Sequence, residues 1–368
     1  MKIITRFLVA ALFVAGTLGL SAKTISVLIV DGQNNHNWAA MTPFMKAQLE
    51  QTGMYTVDTS STPPRFRIPR NLPKEKQEAA QKAAQALNVK QWAAWRPAFA
   101  KYDVVISNYN GQDWPKEVQA AFEKYVSDGG RFICVHAANN SFPNWLEYNK
   151  MIGLGGWGGR TEKHGPYVYY DESNKLVRNT NPGRGGSHGP QHEFIIQIRK
   201  TDHPITTGMP AKWKHAKDEL YDSLRGPGTN MEILATAWSP KSKRHEPMMM
   251  VLEYGKGKIF HTPMGHENGQ SLQCVGFITT LNRACEWLAT GKVTTKIPGN
   301  FPTEDKVSMV KKKRAHTPFS RRRHRAAFFM DSTLLQKCWR TPRRAIIPKP
   351  LISEGHPHAP SPRAQIFR

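Results

Sequence analysis

Gly129-Gly130-Arg131-Phe132-Ile133-Cys134-Val135-His136-Ala137-Ala138-Asn139-Asn140 is the stretch whose reading decides the fold. A glycine pair leads into a short apolar run, small residues and a histidine lead out of it, and Ser141 to Met151 suits a following helix. That is a strand-to-helix corner. In an open parallel sheet the carboxyl ends of the strands border the ligand crevice, so His136 faces whatever binds there. Cys134, two residues earlier, points to the same side but deeper in the sheet.

The same grammar recurs on both sides. Thr24 to Val30 is a β-rich run that exits through Gly32-Gln33-Asn34-Asn35-His36-Asn37-Trp38, ahead of an amphipathic stretch from Met41 to Gln51. Met54 to Asp58 makes a short second strand. Tyr102 to Ser107 is a third, exiting through Asn108-Tyr109-Asn110-Gly111, after which Asp113-Trp114-Pro115 opens a helix with proline at its first position. Residues 59–100, with a proline-rich lead and an Ala/Gln/Glu/Lys-rich helix, read as an elaboration attached by Trp92, Trp95 and Phe99. Later strands at Phe194 to Ile198, Glu232 to Trp238, Pro247 to Leu252 and Ile259 to Thr262 precede Pro263-Met264-Gly265-His266-Glu267 and a closing helix from Gln270 to Leu288. Strand, polar loop and helix in repetition predict a doubly wound α/β fold, a mainly parallel sheet with helices on both faces.

The ends of the 368-residue chain differ from its body. Met1 to Ala22 has two basic residues, an apolar run from Phe7 to Leu20 and small residues after it. This is the layout of a signal peptide and is short for a membrane span, so the expected location is secreted or periplasmic, with no span left after cleavage. The net charge of +24 is concentrated elsewhere: of 52 Lys+Arg and 28 Asp+Glu, 16 and 2 fall from Lys306 onward, leaving 36 against 26, or +10, for the rest. Residues 308–368 read as a basic, disordered tail. A basic arm binds by charge alone, so no specific nucleic-acid partner is expected. The folded part is assigned to residues 23–307.

The four cysteines, Cys134, Cys274, Cys285 and Cys338, form no CxxC pair. Cys274 and Cys285 fall on one predicted helix, about 16 Å of rise apart, beyond disulfide reach. The glycine-rich segments Gly153 to Gly159 and Gly183 to Glu193 fit neither GxGxxG nor GxxxxGK[ST] between a strand and a helix, so no nucleotide cofactor is expected. They read as loops that cover the crevice. His188 and His192 do not form a helical metal pair, because Gly189 and Pro190 lie between them.

The segments GQNNHNW (32–38), NYNG (108–111) with DWP (113–115), GGRFICVHAA (129–138), HGPQHEF (188–194), DHPIT (202–206), DELY (218–221) and YGKGKIFHTPMGHE (254–267) resemble, in this order, the ThuA-like family of trehalose utilisation. The resemblance covers about residues 24–307. It implies a flavodoxin-like sheet similar to class I glutamine amidotransferases, and a link to carbohydrate use, with keto-glycosides among the substrates. In that superfamily a nucleophilic cysteine stands at the strand-to-helix corner and a His-Glu pair follows a later strand. Here the corner residue is His136 and the later pair is His266-Glu267, so cysteine-dependent glutamine hydrolysis is not expected. A register two residues away would make Cys134 the nucleophile; its apolar neighbours indicate burial instead.

The expected activity is therefore processing of a glycoside or keto-glycoside, as a hydrolase, lyase or isomerase, by histidine acid/base chemistry. The catalytic candidates are His136, His266, Glu267, His192 and Glu219. Asn35, His36, Trp38, Asn110, Trp114 and Tyr221 are the candidates for holding a small carbohydrate, since amides bind hydroxyls and aromatic faces bind sugar rings. His36, His136 and His266 are also a candidate ligand set for a divalent metal. The competing expectation is a non-catalytic carbohydrate-binding protein, which needs the Asn and Trp contacts but no histidine cluster.

Overall fold

The computed structural model describes residues 24–310 except 66, 67, 69, 70, 267 and 268. The proposed signal peptide, nearly all of the basic tail and Glu267 lie outside the described residues. The chain runs β1 (Ile25–Asp31), α1 (Trp38–Glu50), β2 (Tyr55–Ser61), α2 (Lys74–Ala94), β3 (Val104–Ser107), α3 (Lys116–Ser127), β4 (Arg131–Val135) and α4 (Leu146–Ile152). It continues with β5 (Tyr167–Tyr170), β6 (Leu176–Asn179), β7 (Ser187–His188), β8 (His192–Ile198), β9 (Lys212–Asp218), β10 (Tyr221–Asp222), β11 (Met231–Ser239), β12 (Arg244–Tyr254), β13 (Gly257–Thr262) and α5 (Val275–Thr290).

The main sheet has the order β2-β1-β3-β4-β13-β12-β11-β8-β9. Its first five strands are parallel, and this half carries the doubly wound pattern expected from the sequence. Alternate residues serve opposite faces. Val27, Ile29, Ile133 and Val135 join a core with Met41, Met45 and Leu49 of α1 and Phe277 and Leu281 of α5. Leu28, Val30, Phe132 and Cys134 join another with Trp92 of α2, Val118 and Phe122 of α3 and Tyr148 of α4. Burial of each such side chain contributes roughly 1.5–3 kcal/mol, which is why these strands read as unbroken apolar runs.

Beyond β13 the sheet continues through antiparallel strands. One of these, β9, is absent from the sequence expectation. Its Lys-Trp-Lys-His alternation puts Trp213 and His215 inside and the lysines toward solvent, but Trp213 is the one large apolar residue on the strand. The expected helix from Ser141 to Met151 is also shorter, because Pro143 excludes helical backbone at Phe142, whose φ is +52°. A 3-10 turn, His136–Asn140, takes its place directly after β4, and α4 starts at Leu146.

Candidate active site

The exits of β1, β4 and β13 lie at the same edge of the parallel half and carry His36, His136 and His266. Each exit has a local reason for its shape. After β1, Gly32 has φ +109°, and a Cβ there would stand 2.5 Å from the backbone nitrogen of Thr62. The chain then turns through a bond from the His36 N–H to Asn34 Oδ1, 3.1 Å. After β4, His136 itself has φ +47°, a conformation that costs most side chains energy and throws this one forward from the strand end. After β13, Gly265 has φ +111° and donates its N–H to Asp218 Oδ2 at 2.9 Å.

Asp218 ends β9 and organises the other side of the site. Besides Gly265 it accepts the N–H of His266 at 3.2 Å and that of Glu219 at 2.7 Å through Oδ1. It also faces His215 Nε2 at 2.8 Å, with both side chains fully buried. Against burial, Cys274 and Asp218 raise His215 to about 9. One carboxylate therefore fixes two site residues, His266 and Glu219, through their backbones.

The side chains converge. The His36 ring lies 4.7 Å from His136 and 4.6 Å from His266, centroid to centroid. Glu219 places Oε2 3.7 Å from His136 Nε2 and Oε1 3.3 Å from His266 Nε2. Tyr221 closes the group, with its hydroxyl 3.1 Å from His136 Nε2. His136 Nδ1 donates to the Pro263 carbonyl at 2.7 Å. In the neutral ring this leaves the lone pair on Nε2, where the tyrosine hydroxyl donates to it. One ligand-type atom from each of His36, His136, Glu219 and His266 lies within 4.8 Å of all the others, a donor set able to hold a metal ion.

Electrostatics sets the charges at neutral pH. Burial, together with the neighbouring His136 and His266, pushes His36 down to about 3. Burial also lowers His136. For Glu219 burial acts in the opposite sense, but the bond from His266 and the imidazoles of His136, His266 and His188 hold it at about 2. Burial and the Glu219 charge push Tyr221 well above the usual phenol value. The group thus combines an ionised carboxylate at Glu219, neutral imidazoles at His36 and His136, and a protonated phenol at Tyr221.

It opens into a cavity of about 430 Å³ lined by Asn35, His36, Asn110, Asn140, Trp157, His188, Glu219 and Tyr221, among others. An amide relay runs along one wall: Asn110 Nδ2 donates to Asn35 Oδ1 at 2.6 Å, and Asn35 Nδ2 lies 3.0 Å from His36 Nε2. The glycine-rich loops form the opposite wall. Trp157 N–H donates to the Gly185 carbonyl at 2.8 Å, and a Cβ on Gly186, φ +85°, would meet Gly156 Cα and Trp157 N at 2.5 Å. Past Trp157 and His188 lies a second cavity of about 490 Å³ that also includes Tyr167, Arg184 and Lys241.

The structure brings His36, His136, His266, Glu219, Tyr221, Asn35 and Asn110 together. Three candidates lie elsewhere. Trp114 is 3 % exposed and packs among Trp95, Phe122, Phe142 and Trp145, just ahead of α3. His192 starts β8, with Nδ1 2.9 Å from the Pro190 carbonyl and its ring beside Phe194. Trp38, half-buried at the start of α1, does not line the cavity. Trp157, His188 and Asn140 are lining residues that sequence reasoning missed; the glycines around Trp157 and His188 were the available signal.

Comparison with known proteins agrees with this architecture. The family model for trehalose utilisation, ThuA, matches residues 26–288. A ThuA-like protein from Parabacteroides merdae, known from its crystal structure, is 40% identical, with a TM-score of 0.69 over 78% of this chain and 98% of that one. Another from Bacteroides uniformis is 16% identical, with a TM-score of 0.46 over 76% of this chain and 97% of that one. None of the curated protein sequences matches.

Proposed function

The chain belongs to the ThuA trehalose-utilisation family, and on that premise we propose that it is an exported enzyme that processes a glycoside or keto-glycoside at the His36, His136, Glu219 and His266 cluster. The observation that carries this reading is the clustering of three strand-end histidines, a carboxylate and a phenol beneath a cavity to which His36, Glu219 and Tyr221 are open and whose other walls include amides and an indole, with His136 fully buried behind them. Amides suit sugar hydroxyls, and Trp157 offers a face to a ring. Proton acceptors and a donor stand together: Glu219 and the imidazole lone pairs can take a proton from a carbon beside a keto group or from water, while Tyr221 donates to the developing oxygen anion. Cys134 is fully buried and burial pushes its thiol up, so a thiol nucleophile plays no part in this reading.

Export rests on the signal-like layout of residues 1–22. Among the described residues no helix is long and apolar enough to cross a membrane. A panel of glucosides and their keto forms, followed by chromatography with the wild type and His136→Asn, tests the activity. Asparagine tolerates the positive φ at this position, so the variant should fold and lose about 10²-fold or more of turnover. Sugar binding with no turnover by the wild type would favour the binding-protein reading instead.

A further inference from the structure

We propose that His36, His136, Glu219 and His266 form a mononuclear site for a first-row divalent metal ion, with an open position facing the cavity. The Pro263 carbonyl fixes His136 as the Nδ1–H tautomer, so its Nε2 lone pair confronts an anionic carboxylate oxygen 3.7 Å away. Two electron-rich atoms in that arrangement are stabilised by a cation between them. The spacing fits. Ligands about 2.1 Å from a tetrahedral ion are about 3.4 Å apart; Glu219 Oε1 and His266 Nε2 are 3.3 Å apart, and the four donor atoms lie within 4.8 Å of one another.

The surroundings are those a metal site requires. Ligating histidines commonly donate their second nitrogen to a carbonyl or carboxylate, which orients the ring, and His136 does so. Asp218 holds the backbones of both Glu219 and His266, so two ligands from distant segments are set by one buried group. Three imidazoles and one carboxylate suit zinc, cobalt, nickel, iron or manganese better than calcium or magnesium. Tyr221 has a second partner for its hydroxyl when the His136 lone pair is taken. The Asn140 side chain lies beside that hydroxyl, and its carboxamide oxygen, buried without a hydrogen bond, is an unused acceptor. With the ion bound, the imidazoles serve as ligands, and Tyr221 and His188 are left to move protons. The ion would bind whether or not the substrate is a sugar, so failure of the glycoside reading leaves the proposal standing.

Equilibrium dialysis of chelator-stripped, full-length protein against Zn²⁺ and Co²⁺, with no sugar present, tests it. The expected result is one tightly held ion per chain, a Co²⁺ absorption spectrum of low symmetry, and loss of tenfold or more in affinity in both Glu219→Gln and His36→Gln. His203→Ala, whose ring packs against Trp287 away from the cavity, should bind as the wild type does. Thermal denaturation run in parallel identifies a misfolded variant, and His36, on a half-buried loop, is the substitution least disruptive to folding. Absence of a stoichiometric ion would overturn the proposal. So would an ion that survives both substitutions, since the tail histidines His316, His324, His356 and His358 would then account for it.

Discussion

Asp218 accepts the backbone N–H of His266 across 48 residues of sequence, at 3.2 Å, and so ties the exit of β13 to the end of β9. Its two oxygens also serve Glu219, Gly265 and His215. Asp218→Asn keeps the size but turns one acceptor into a donor, which must then face a backbone N–H or His215. The expected cost is about 1–3 kcal/mol of stability, read as a lower thermal midpoint. Turnover should fall further than stability does, because His266 and Glu219 lose their common anchor. A variant with wild-type turnover would show that Asp218 only fills the core.

Stability of the metal-free protein should fall on the acid side in a defined window. His36 is held at about 3 and His261 at about 4, both chiefly by burial, and burial lowers His136 as well. The unfolded chain titrates these groups near 6.5. Between those values the unfolded state binds more protons, so stability rises with pH through the window and is fully present above about 7. Thermal midpoints measured from pH 7 to pH 4 should drop steadily, and His261→Gln should flatten the slope. His36 is half-buried, so solvent screens its share.

Gly186→Ala should damage the cavity wall, whereas Gly159→Ala should not. Both glycines have positive φ, +85° and +78°, so both substitutions carry a backbone penalty of about 1–2 kcal/mol. Only at Gly186 does the added methyl run into backbone, at 2.5 Å from Gly156 and Trp157; at Gly159 nothing lies within 4 Å. Ligand affinity should therefore weaken in the first variant and hold in the second, measured by calorimetry with a sugar that binds the wild type.

The two tryptophans separate packing from binding. Trp114→Ala removes a ring buried against several other aromatic rings and should cost about 3–5 kcal/mol of stability. Trp157 is half-buried and faces both cavities, so Trp157→Ala should cost less stability and more affinity. Urea denaturation paired with ligand titration distinguishes the two effects. The opposite ranking would return Trp114 to the site.

The parallel half of the fold was legible because strands buried on both faces leave continuous apolar runs, and their exits leave glycine, asparagine and histidine. The same signal located His36, His136 and His266. It weakened where strands are antiparallel: β9 buries Trp213, His215, Ala216 and Asp218, with a single large apolar side chain among them, and its role as the scaffold for Asp218 and Glu219 depends on contacts with residues far away in sequence. Trp114 misled for a related reason. An indole near a crevice loop looks the same in sequence whether it faces a sugar or, as here, five or more aromatic side chains. His192 sits in the segment HGPQHEF, and the strand it starts sets its ring beside Phe194. Trp157 and His188 line the cavity from loops whose glycines indicated turns without indicating which side chains they present.

In the proposed function the His36, His136, Glu219 and His266 cluster carries out chemistry on a bound sugar. The most direct measurement is an NMR time course of a keto-glucoside in D₂O with catalytic amounts of the full-length protein and Zn²⁺ or Mn²⁺. The expected result is deuterium at the carbon beside the keto group, or conversion to product, with the rate reduced about 10²-fold or more in Glu219→Gln. A ligand that binds at the cavity while its spectrum stays unchanged, or a rate equal in wild type and Glu219→Gln, would contradict it.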